Sequence, residues 1–255
     1  MIATICKDED RRHDAATFRS HHRRRGMSSR IIWFVAIAMS LILAHGSASA
    51  QMSEDTLLPF AINVDRTPKQ EWPGYGIYLG RGYFLTAAHV AGQGWLTRPR
   101  VVIDGREYPT TVVKEGTFEA TDLTLLSVEE NLLPGRLALR RMQLCASIPP
   151  PGDEVVTLVP GRVEQSRIFP PSLIPQTARR FSTAIADVTQ TGNSGSGVFD
   201  LRHHCLVGIM SRKISEVRLE KLSGKSDNRD IAKYFVPAPE IAGFLPHGVV
   251  SESGQ

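Results

Sequence analysis

"TGNSGSGVFD", Thr191 to Asp200, is the stretch on which the reading of this chain turns. Gly192, Gly195 and Gly197 stand between an alternating segment, "FSTAIADV", and an apolar run, "CLVGIM", where a core is expected. Each glycine forfeits side-chain packing and raises the entropy cost of ordering the backbone. Two readings follow. The stretch is a solvent turn, or it presents Ser194 on a sharply folded loop with neighbouring backbone N–H groups turned toward a ligand. A serine hydroxyl is a weak nucleophile until an adjacent base takes its proton. The second reading therefore requires a base elsewhere in the chain.

"LTAAHV", residues 85–90, offers one. His89 follows small residues at the end of a strand-like run, which leaves an imidazole room to face a cleft. Asp122 opens "TDLTLLSV", at the mouth of the next apolar strand. From there a carboxylate can orient an imidazole through Nδ1–H and stabilise the imidazolium. Asp104, in a hairpin turn, Asp153, in "PPPGDE", and Asp187, close to the serine loop, are less well placed. Ser196 is the rival nucleophile, since it has glycines on both sides.

Around these positions the chain is a series of short β-like runs. "GYGIYLG" and "GYFLTAA" flank Arg81-Gly82, and "RVVIDGREYPTTVV" carries the hairpin signal Asp104-Gly105. "DEVVTLVP", "RRFSTAIADV" and "AKYFVPA" continue the pattern. Strands at this spacing with few helical periods predict an all-β sandwich or barrel. Pro149 to Pro151 marks a linker between two β-halves, and "PEIAGFL" a helix near the end.

"TAAHV", "TDLTLL" and "GNSGSG", in that order, resemble the three signature segments of trypsin-like (chymotrypsin-fold) serine proteases, in the bacterial, exported, single-domain branch. The resemblance spans nearly all of residues 60–246. It implies two six-stranded antiparallel Greek-key barrels, at about 60–140 and 153–236, joined by a linker at 141–152 and followed by a helix at 237–246. It implies His89 as general base, Asp122 as its orienter and Ser194 as acyl-forming nucleophile. Gly192 and Ser194 would supply the oxyanion hole, and no metal or organic cofactor is needed. The family pattern selects Ser194 over Ser196, which stands where glycine is usual. An α/β-hydrolase fits poorly, because "GNSGS" lacks the final glycine of G-x-S-x-G and βα alternation is absent.

The same resemblance predicts an endopeptidase acting on protein or peptide substrates. The alternatives are a catalytically silent fold used as a binding module, and an esterase with the same triad. By position in the motifs, Val188 and Thr189 line the pocket for the residue before the scissile bond. Ser211, Lys213 and Lys233 fall on its other walls. Two lysines there would favour an acidic substrate side chain; lysines snorkelling out to water would leave a small apolar pocket. Asn193, directly before the serine, is neutral and cannot pair with a newly cut N-terminal amine. The site is therefore expected to form without internal cleavage.

Charge excludes an obvious nucleic-acid role. Of 30 basic and 26 acidic residues, 8 and 4 lie within the first 50, so the remaining 22 and 22 cancel. Residues 27–50, "MSSRIIWFVAIAMSLILAHGSASA", combine Arg30, an apolar run and a small-residue site before Gln51. They read as a secretory signal, with an uncleaved anchor as the alternative and no membrane insertion after cleavage. Residues 1–26 read as a non-native or disordered extension upstream of a start at Met27. Residues 51–255 are then the exported domain. Its two cysteines, Cys145 and Cys205, enter a compartment that permits oxidation, and either bridge or stay as buried thiols. "HHC", His203 to Cys205, lacks a second ligand pair at zinc spacing.

Overall fold

A computed structural model describes residues 56–66, 74–186, 193–219 and 226–250. The expected signal segment and upstream extension lie outside these residues.

Among these residues, thirteen strands form two antiparallel sheets. The first holds β1 (Ala61–Asp65), β2 (Gly74–Gly80), β3 (Tyr83–Thr86), β4 (Arg100–Ile103), β5 (Arg106–Pro109), β6 (Thr111–Glu115) and β7 (Thr124–Ser127). Their order is β5-β4-β1-β2-β3-β7-β6. The expected Asp104-Gly105 hairpin is present, and a second joins β2 to β3. Arg81-Gly82 and Asp104-Gly105 have positive φ at both central residues, the backbone twist that matches paired strands.

Seven strands rather than six arise from one broken run. Residues 106–115 are extended throughout except at Thr110, after Pro109, which has no N–H to donate. The first half pairs with β4 and the second with β7. One bent run thus joins the two ends of the sheet and closes it, and counted as a single strand it leaves six.

The second sheet runs β10-β13-β12-β11-β8-β9. Its strands are β8 (Glu154–Val159), β9 (Arg162–Arg167), β10 (Ala184–Ile185), β11 (Gly197–Asp200), β12 (Cys205–Leu219) and β13 (Ser226–Pro237). The outer strands β9 and β10 meet through a bridge between Ile168 and Ile185. Backbone bonds from Phe169 N to Ala184 O and from Ala186 N to Arg167 O extend that contact. The last helix, Ala238–Phe244, starts behind Pro237, carries Pro239 in its first turn and buries Ile241 and Phe244. This is the trypsin-like fold.

One large apolar cluster runs from Tyr78, Phe84 and Leu125 of the first sheet to Leu158, Phe199 and Ile209 of the second. A smaller one gathers Val155, Ile168, Val198, Val207 and Phe235 around Cys145 and Cys205. Those cysteines form a disulfide across 60 residues. Beside it Cys145 N donates to Leu206 O, and Leu206 N to Gln143 O, so the chain between the sheets is stitched to β12. Burying an aromatic such as Phe84 or Phe199 is worth about 2–3 kcal/mol by area.

Candidate active site

His89 lies in a one-turn helix, Ala88–Ala91, that follows directly from β3. Ala87, Ala88 and Ala91 around it are buried, and the small side chains let the turn sit against the sheet while the imidazole stays 30% exposed. Asp122 precedes β7 and is 1% exposed. Its Oδ1 accepts His89 N–H at 3.0 Å, and its Oδ2 lies 2.8 Å from His89 Nδ1. Ser211, on β12, donates its hydroxyl to the same Oδ2 at 2.6 Å.

Burial alone would push the Asp122 carboxyl up. The hydrogen bonds from His89 and Ser211, and the charge on the His89 ring when protonated, hold it below its ordinary value instead. An ionised carboxylate has only acceptors, so Nδ1 of His89 carries the proton. Nε2 of the neutral ring is then left with a lone pair. The arrangement is a base with a fixed tautomer.

The serine loop is held mostly by backbone. Tyr75 N donates to Ser194 O at 3.0 Å, Gly195 N to Met210 O at 2.8 Å, and Met210 N to Ser196 O at 2.8 Å. Gly195 has φ +84°, and a Cβ there would stand 1.9 Å from Tyr75 O, so only glycine fits. Ser194 is half-buried and donates Oγ to Ser211 O at 3.3 Å. Ser196 is 0% exposed and spends its hydroxyl on Asn193 O at 2.5 Å. Of the two serines in the loop, Ser194 is the accessible one. Asn193 is 5% exposed, and its Nδ2 donates to Glu164 on β9.

Val188, Thr189 and Gly192 lie outside the described residues. Ser211, expected on a pocket wall, directs its hydroxyl to Asp122. Lys213 and Lys233 are cross-strand partners on β12 and β13. Lys213 Nζ is 2.6 Å from Asp230, which also accepts from Ser215 Oγ at 2.8 Å. Hydrogen bonds from Lys213 and Ser215, with the charges of Lys213 and Lys233, hold the Asp230 carboxyl below its ordinary value. Lys233 itself is buried. Lys213 is thus paired within the chain, with Asp230.

The cation beside the His89–Asp122 pair is Arg212. Its guanidinium stacks 3.7 Å from the Phe118 ring centroid and 4.7 Å from that of Phe181. Its Nη2 donates to Phe118 O and lies 4.0 Å from Asp122 Oδ2. Phe118 in turn meets His89 edge-on at 5.3 Å. Burial pushes the Arg212 guanidinium below its ordinary value, against the opposing charge of Asp122. The sequence carries no local signal for this role, because Phe118, Phe181 and Arg212 come from three separate segments.

His203 Nδ1 lies 2.7 Å from Asp200 in an exposed turn. Among the described residues, no group of three or more His, Cys, Asp or Glu side chains could hold a metal. Among them, no helix is long and apolar enough to cross a membrane.

Solved structures share this architecture. The Rv3671c protease of M. tuberculosis in its active form aligns with TM-score 0.51 and 16% identity, over 78% of this chain and 88% of that one. A serine endoprotease from Yersinia pestis gives 0.52 and 20%, over 76% and 64%. The HtrA-type protease AlgW with a tripeptide gives 0.53 and 22%, over 76% and 62%. At such identities the likeness is one of fold. No curated protein matches the sequence closely. The model of the trypsin-like peptidase domain matches residues 74–209, more than half of the chain, and the chain belongs to that family.

Proposed function

We propose that the protein is an exported serine endopeptidase in which His89, Asp122 and Ser194 act as a catalytic triad. The observation that carries this reading is the buried Asp122 carboxylate, which accepts from His89 twice and from Ser211 once. That is the support a general base needs to keep its tautomer and to tolerate a transient positive charge.

The Ser194 hydroxyl exchanges its bond to Ser211 O for one to His89 Nε2 as substrate binds. Oγ then attacks the scissile carbonyl carbon while its proton passes to Nε2. The carbonyl oxygen becomes an oxyanion, held by the N–H groups of Gly192 and Ser194. Collapse of the tetrahedral intermediate breaks the C–N bond, and the imidazolium gives its proton to the departing amine. Water, deprotonated by His89, then hydrolyses the acyl-enzyme and regenerates Ser194. Export through residues 27–50 is part of the proposal and agrees with the Cys145–Cys205 disulfide.

The test is labelling with a fluorophosphonate, alongside hydrolysis of casein and of short esters. Labelling and casein cleavage that both disappear in Ser194→Ala support the reading. Ester hydrolysis without casein cleavage points to an esterase. A folded protein that takes no label is a binding module.

A further inference from the structure

Asn193 adjoins the nucleophile, and its side chain is buried. A buried amide needs partners. It donates Nδ2 to Glu164 Oε2, whose side chain is only 9% exposed and belongs to β9. The other carboxylate oxygen of Glu164 lies 2.5 Å from Arg162, two residues back on the same strand. A carboxylate so enclosed, its Oε1 close to a guanidinium but without a hydrogen-bond partner and its Oε2 taking the amide, is a strong acceptor for Asn193. Asn193 O in turn accepts the Ser196 hydroxyl, so both ends of Asn193 are tied. Apart from the long bond of the reactive hydroxyl itself, Ser194 Oγ to Ser211 O at 3.3 Å, the remaining bonds on the loop's described part run through the backbone of Ser194, Gly195 and Ser196.

We propose that Glu164 is a positioning residue for the nucleophile, anchoring the serine loop through Asn193 in the uncut chain. The proposal rests on the protease reading and deepens it. The loop's side-chain anchor lies within the second sheet and is present as soon as that sheet has folded. No newly made chain end is needed to supply a charge, and the enzyme is constitutively competent. The pairing is also polarised. A carboxylate on β9 demands a donor at position 193, and an aspartate there would set two like charges at hydrogen-bond distance.

Four variants of the full protein test this, each read by kcat and KM separately, by thermal unfolding and by amide exchange of peptides spanning 193–200. Glu164→Gln keeps an acceptor in place and stays within ~3-fold of the parent kcat. Glu164→Ala lowers kcat roughly 10- to 100-fold with KM little changed, because the nucleophile is displaced rather than the substrate site. It also speeds exchange in the serine loop. Asn193→Asp falls at least as far, through repulsion by Glu164. Adding Glu164→Gln to Asn193→Asp restores kcat to within ~5-fold, since the new amide donates to the new carboxylate.

A Glu164→Ala protein that only melts earlier, with parent kcat and parent loop exchange well below its melting point, overturns the proposal. So does failure of Glu164→Gln to rescue Asn193→Asp. If the parent takes no fluorophosphonate label, the protease reading fails. The exchange data on Glu164→Ala and Glu164→Gln still decide whether Glu164 anchors the loop.

Discussion

The two halves of the candidate site are built by different means. On the histidine side, one buried carboxylate does the ordering: Asp122 fixes His89 through ring and backbone and receives Ser211 from the other sheet. On the serine side, order comes from backbone hydrogen bonds, a glycine with no room for a Cβ, and the link from Asn193 to Glu164. The first half depends on the chemical identity of a few side chains. The second depends on where the chain runs. Substitutions should therefore cost chemistry on one side and geometry or stability on the other.

The sharpest test is Asp122→Asn. It keeps the shape but removes the charge, and it invites the wrong tautomer of His89. We expect kcat to fall about 10³- to 10⁴-fold with the fold retained, measured by steady-state kinetics beside circular dichroism. A loss under tenfold would break the comparison on the histidine side. Gly195→Ala should act oppositely. A methyl group 1.9 Å from Tyr75 O at φ +84° forces the loop to move, and stability should fall by about 3 kcal/mol in denaturant unfolding. An unchanged midpoint would show that the serine side is not held by close backbone approach.

Removing the disulfide with Cys145→Ser and Cys205→Ser should cost about 2–4 kcal/mol, read by chemical denaturation. Because Cys205 begins β12, the strand behind the serine loop, amide exchange should rise there more than around His89. Equal rises on both sides would blur the distinction.

The smallest effect is expected from Ser211→Ala, about 1 kcal/mol, from the loss of one donor to Asp122. Its pH dependence has a definite sign. The Asp122 carboxyl is held below its ordinary value of 3.8 in the folded protein. Its contribution to stability is full above that value and is lost as pH falls through the folded one. Ser211→Ala weakens that depression, so acid unfolding should begin at higher pH. A midpoint shifted down, or unmoved, would contradict the assignment.

The parts of the molecule legible in the sequence are those whose cause is local. Asp104-Gly105 and Arg81-Gly82 announce turns because the residue types meet a backbone requirement at those positions. The order of the His89, Asp122 and Ser194 segments was readable because each sits at a strand end with a short pattern of its own. What escaped depends on distant chain meeting. Nothing in the run after Asp104-Gly105 says that its halves on either side of Thr110 pair at opposite edges. Glu164 and Arg212 look like ordinary polar strand residues until Asn193, Phe118 and Phe181 are brought to them. The Lys213–Asp230 ion pair likewise depends on the register of β12 against β13.

The closure of both sheets bears on survival among proteases. Under the proposed function, a peptide substrate added as an extended strand would be seated by backbone pairing. Unpaired sheet edges offer such a strand ready-made. Here the bent run through Thr110 uses up both ends of the first sheet, and the Ile168–Ile185 bridge joins those of the second. Among the described residues, the stretch left for another copy to grip is the β12–β13 hairpin beyond that closure, where residues 214–219 pair only with residues 226–232.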